Sequence, residues 1–173
     1  MLRRAVFLDR DGVLNALVIR EGTAVSPRAM EDFAIVPEAR ASVARLKDAG
    51  YRVFVITNQP DIARGRMSNA VLDEMLSALR AEVPLDDIAV CTHDDADNCD
   101  CRKPRPGMLH ALAERWQVDL VRSVVVGDSW RDMHAGRAAN CKTVMLGEAT
   151  DEAADYSAVS LGDAVDLILT RLG

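Results

Sequence analysis

Aromatic residues are scarce in this chain: two Trp, two Tyr and three Phe among 173 residues. A core must therefore be assembled from Ala, Val, Leu, Ile and Met, and an apolar content of 49% supplies them. Excess positive charge is missing too. The formal net charge of −6 speaks against general nucleic-acid binding and against attraction to anionic membranes. No apolar run approaches the ~20 residues that a membrane-spanning helix needs. Met1-Leu2-Arg3-Arg4 leads into only four apolar residues, too few for a secretion signal, so the cytoplasm is the expected location. Repeats, low-complexity tracts and inter-domain linkers are absent, and the length suits one domain over residues 1–173. An anionic substrate would have to be met by a local cluster of cations working against the overall field.

What is present is a regular alternation of two patterns. Apolar runs at Arg4 to Leu8, Arg52 to Ile56, Asp87 to Cys91, Ser123 to Val126 and Lys142 to Leu146 read as five buried strands. Between them lie helical spacings: from Pro37 with Gly50 as a stop, from the cap Ser68 to Pro84, from Pro106, and from about Arg131 to Ala139. Ser160 with Asp163 reads as a capping box for a C-terminal helix. The stretch after the first strand, to about Phe33, reads as polar and irregular. Continuous apolar strands alternating with helices predict an α/β fold, a three-layer doubly wound parallel sheet without a large cap domain. Ligands in such a fold gather at the carboxyl ends of the strands.

Those ends carry the chemistry. Asp9 and Asp11 follow the first run and precede Gly12; residues two apart on a strand point the same way, so both carboxylates are expected to project together. Adjacent acids repel unless a metal or a positive ligand lies between them, which points to phosphate chemistry. The second strand is followed by Thr57-Asn58-Gln59, the third by Arg102 and Lys103, and the fourth by Gly127 and Asp128 with Asp132 one turn on. Each pair alone fits an ordinary turn or cap; four at successive strand ends do not.

Asp9-Arg10-Asp11-Gly12-Val13-Leu14-Asn15, Thr57-Asn58-Gln59, Cys101-Arg102-Lys103-Pro104 and Gly127-Asp128-Ser129-Trp130-Arg131-Asp132 resemble, in order, the four motifs of the haloacid dehalogenase superfamily of phosphatases. The resemblance spans nearly the whole chain and is greatest to members acting on heptose 1,7-bisphosphate, then to those acting on histidinol phosphate. It implies Asp9 as the nucleophile, Asp11 as general acid and base, and magnesium held by the Asp9 and Asp128 carboxylates and the Asp11 carbonyl. It further implies that Thr57 and Lys103 hold the phosphoryl oxygens and that Asp132 holds Lys103 or a metal-bound water. Asn15, Asn58, Gln59 and Arg102 are the expected substrate contacts, with Arg102 on the distal group. Ala16-Leu17-Val18-Ile19-Arg20 is more apolar than the family's usual stretch here, in the region that would touch the sugar.

Cys91, His93, Cys99 and Cys101 complete the picture: Cys-x-His, five residues, Cys-x-Cys. Three thiolates and one imidazole make a closed tetrahedral zinc set, structural rather than catalytic. The intervening Asp94-Asp95-Ala96-Asp97-Asn98 is too polar for core, so a zinc-bound loop is expected to brace Arg102 and Lys103. Cys141 reads as a small core residue. Two alternatives remain beside a heptose bisphosphate phosphatase: a histidinol-phosphate phosphatase, and a catalytically silent zinc-stapled binding module. A small-molecule sugar phosphate as substrate requires no protein partner, and a monomer is expected.

Overall fold

The apolar runs pair into one parallel sheet. In the computed structural model, which describes residues 2–148 and 150–172, β1 (Ala5–Leu8) is followed by β2 (Val18–Arg20) and β3 (Thr23–Val25), then α1 (Ala39–Asp48) and β4 (Arg52–Asn58). The chain continues through α2 (Asn69–Glu82), β5 (Asp87–Cys91), α3 (Gly107–Trp116), β6 (Val124–Gly127), α4 (Trp130–Ala138) and β7 (Lys142–Leu146). It closes with β8 (Tyr156–Ala158) and α5 (Leu161–Leu167), the last extended by a π-helical turn over Ile168–Leu172.

Strand order is β5-β4-β1-β6-β7-β8, every pair parallel. From central β1 the chain winds outward on one side, then crosses to the other, so the switch point lies at β1. Side chains alternate across the sheet. Val6 and Leu8 join the core under α1 and α5, while Ala5 and Phe7 join the core under α3 and α4. With helices on both faces all four residues of β1 are buried, which is why the sequence reads apolar without a break. Each large aliphatic side chain buried this way contributes roughly 1.5–3 kcal/mol. The expected caps form: Ser68 Oγ accepts from the Val71 N–H and Ser160 Oγ from the Asp163 N–H.

Two elements differ from the reading of the sequence. The sheet has a sixth strand, β8, whose Tyr-Ser-Ala composition and three-residue length give no apolar run; it lies at the edge, paired only to β7. The stretch expected to be irregular holds an antiparallel hairpin, β2–β3, turned by Glu21 and Gly22 at φ of +50° and +75°. Two successive left-handed residues favour such a turn.

Candidate active site

Asp9 follows β1 directly, and its N–H donates to the Val126 carbonyl of neighbouring β6. Its carboxylate meets Lys103, whose Nζ donates to Asp9 Oδ1 at 2.8 Å, to Asp132 Oδ1 at 2.5 Å and to the Ile56 carbonyl at 3.0 Å. Carboxylate oxygens of Asp9, Asp128 and Asp132 lie within 4.8 Å of one another. Gly12 permits this approach. It sits at φ +81°, and a Cβ there would come within 1.9 Å of Asp128 Oδ2.

The cluster is electrostatically incomplete. Three carboxylates against one ammonium leave an excess of two negative charges in a largely buried space. Burial first, and then Asp132, push the Asp9 carboxyl well above the usual carboxylate range, with Lys103 pulling against them. The same two causes raise Asp128 to about 6. An all-oxygen donor set short of two positive charges fits a hard divalent cation. Asp132 is engaged on both oxygens, by Lys103 and by the Ser129 N–H and hydroxyl, so it holds Lys103 in place as expected.

Asp11 does not share this cluster. The adjacent acids part: Asp11 Oδ1 accepts from Arg10 Nε and Nη2 and from Asn15 Nδ2, and Oδ2 accepts from Gln59 Nε2, all within 3.0 Å. A side-chain cation and two amides thus relieve the repulsion that the sequence assigned to a ligand between the pair. The sequence placed Asn15 and Gln59 at the substrate; the structure places both against Asp11. Asn15 is fully buried, and Gln59 joins Asp11 to Thr57 Oγ1, which accepts at 2.8 Å and keeps its own hydroxyl hydrogen. Asn58 lines the cavity, but its amide clamps the Lys103 backbone in both directions, Nδ2 to the carbonyl at 3.0 Å and Oδ1 from the N–H at 3.1 Å. Arg102 also lines the cavity, with Nε on Asp95 Oδ1 at 2.6 Å, an acid of the Cys-rich loop whose side chain is 66% exposed.

The cysteine cluster assembles as its spacing predicts. Cys91 Sγ lies 3.6 Å from both His93 Nδ1 and Cys99 Sγ, Cys101 Sγ is 3.5 Å from Cys99 Sγ, and His93 Nδ1 is 3.3 Å from Cys101 Sγ. Sulfur pairs at these distances are far beyond the ~2.05 Å of a disulfide. They match the edges of a tetrahedron with Zn–S bonds of ~2.3 Å, so the set fits a structural zinc ion. From this loop Asp94 reaches Arg64 through two bonds of 2.6 Å, as Asp95 reaches Arg102.

Between the strand ends, the hairpin and the loop lies a cavity of about 420 Å³. Asp9, Asp11, Lys103 and Asp128 form its floor, and Leu17, Val25 and Ser26 form one wall. Arg10, Arg64, Ser129 and Arg131 are site residues that motif reasoning did not assign. Arg10, wedged between two aspartates in sequence and wholly buried, was the most readable of them.

A profile of the haloacid dehalogenase-like hydrolases matches residues 15–140, which include Thr57, Lys103, Asp128 and Asp132. The D-glycero-beta-D-manno-heptose-1,7-bisphosphate 7-phosphatase of Pseudomonas aeruginosa is 40% identical over 153 residues, covering 84% of this chain and 82% of that one. The enzyme of the same name from Rhodopseudomonas palustris is 42% identical over 149 residues, covering 79% of each. Among solved structures, the D,D-heptose 1,7-bisphosphate phosphatase of B. bronchiseptica, complexed with magnesium and phosphate, superposes with a TM-score of 0.82 at 29% identity. That superposition covers 96% of this chain and 98% of that one. The carboxylates and lysine gathered at the strand ends thus have a family context: this chain belongs to the haloacid dehalogenase-like hydrolases, and its relatives among them are phosphatases.

Proposed function

We propose that this phosphatase acts on D-glycero-D-manno-heptose 1,7-bisphosphate, removing the 7-phosphate through a phosphoryl-aspartate on Asp9. The observation that carries the reading is the convergence of Asp9, Lys103, Asp128 and Asp132 on one floor at the sheet's switch point. The relatives' names supply the sugar. The enzyme is proposed to work in the cytoplasm as a monomer.

In the first step an Asp9 carboxylate oxygen attacks phosphorus, forming an O–P bond as the bond to the sugar oxygen breaks. Asp11 gives a proton to the departing alkoxide. In the second step water attacks the phosphoryl-aspartate, Asp11 takes its proton, inorganic phosphate leaves and Asp9 is restored. Its four contacts, from Arg10, Asn15 and Gln59, fix the Asp11 side chain beside Asp9. Lys103, fixed by Asp132 and by the Asn58 clamp, and the Thr57 hydroxyl steady the transferring oxygens. Asp9, Asp128 and the Asp11 carbonyl would hold magnesium, which supplies charge neutralisation between nucleophile and phosphate. Cys91, His93, Cys99 and Cys101 would hold zinc, which supplies a rigid base for the segment carrying Arg102 and Lys103.

Asp9→Asn is expected to abolish phosphate release, and full activity in that variant would refute the nucleophile. Heptose 1,7-bisphosphate and histidinol phosphate assayed side by side test the sugar. A preference for the heptose in kcat/KM of more than about tenfold, ~1.4 kcal/mol, is expected; the opposite preference would replace it with the histidinol reading.

A further inference from the structure

We propose that Arg131 receives the second phosphate of a bisphosphate substrate and so sets this site's preference for doubly phosphorylated sugars. The inference rests on the phosphatase reading above and adds to it a residue that no motif assigned. Four cations face the catalytic cavity, Arg64, Arg102, Lys103 and Arg131. Three of them already hold carboxylates: Lys103 lies between Asp9 and Asp132, Arg64 grips Asp94, and Arg102 grips Asp95. Arg131 makes no ion pair among the described residues, and its Nε is buried without a hydrogen-bond partner.

Fold stability does not account for this placement. Arg131 is the second residue of α4, where the unpaired backbone N–H groups already carry partial positive charge. The helix terminus repels a cation there, Asp95 attracts it without closing an ion pair, and a buried donor left unpaired is disfavoured. Its guanidinium is nevertheless held in place, with Cζ 4.7 Å from the centre of the Trp130 ring, an aromatic side chain that is itself exposed. A phosphate in the cavity would resolve each of these costs. It would accept from the orphaned N–H, neutralise the guanidinium and meet a helix terminus suited to anions. The planar fork of arginine takes two oxygens of one phosphate at once.

The test compares heptose 1,7-bisphosphate with heptose 7-phosphate, for wild type and Arg131→Ala, in the presence of magnesium. The ratio of kcat/KM between the two substrates is expected to fall at least about tenfold in the variant, through a higher KM for the bisphosphate. Arg131→Gln, which keeps the stem over Trp130, supplies the same comparison if the alanine variant does not fold. A ratio equal to that of the wild type, whatever the absolute activity, would overturn the inference. Failure of the wild type to hydrolyse either compound is a different result, and it would overturn the phosphatase reading and this inference together.

Discussion

Burial and the neighbouring Asp132 hold the Asp128 carboxyl at about 6, while an unperturbed aspartate titrates near ~4. A folded-state value above the unfolded one means that the folded state binds the extra proton. Asp128's own contribution to the stability of the metal-free protein is therefore fullest below pH ~4 and is lost as the pH rises through about 6. A divalent cation held by Asp128 would replace that proton. Magnesium should consequently raise the melting temperature more at pH 8 than at pH 5, in thermal melts run with the ion and with chelator; equal shifts would argue that Asp128 is not a ligand. At this scale the sequence was legible where motif residues converge, and Asp9, Lys103, Asp128 and Asp132 meet as expected. It was less legible for Asn15 and Gln59. Each is an amide whose partner is chosen by which acid happens to be buried beside it, and Asp11 declares that only in three dimensions.

The Cys-rich loop is an element whose three thiols and one imidazole fit a zinc ion. Burial raises the Cys91 thiol to about 12, whereas Cys99, despite its own desolvation, is drawn down to about 7 by the Arg102 N–H and the neighbouring thiols. Cys99→Ser should reduce zinc from about one ion per chain to a small fraction, measured by elemental analysis, and should lower kcat/KM through looser Arg102 and Lys103. Cys141→Ala should keep the full complement of zinc, since that buried thiol is raised to about 12 by burial alone and lies outside the cluster. Loss of zinc in both variants would point to general unfolding instead. Secondary elements of four or more residues were readable because apolar runs and 3.6-residue spacings are long signals. The hairpin and β8, three residues per strand, owe their pairing to the elements around them, so composition alone could not announce them.

At the scale of the whole molecule, the exposed large apolar side chains among the described residues are Leu2, Leu17, Ile19, Val121, Trp130 and Val159, and only Leu17 and Ile19 are near neighbours in the chain. Single apolar residues of this kind are ordinary on a monomer's surface. Sedimentation equilibrium should give a mass near the 18.9 kDa of one chain, and a mass twice that would replace the monomer with a dimer. The parallel architecture was the most legible feature of all, because burial on both faces forces unbroken apolar strands. That strand order has a temporal consequence. β1 is flanked on one side by β4 and on the other by β6, both made later than the nucleophile they frame. A nascent chain leaving the ribosome makes Asp9 first, Lys103 next, and Asp128 and Asp132 last of the four. The floor of the cavity thus cannot close until Asp132 has been made.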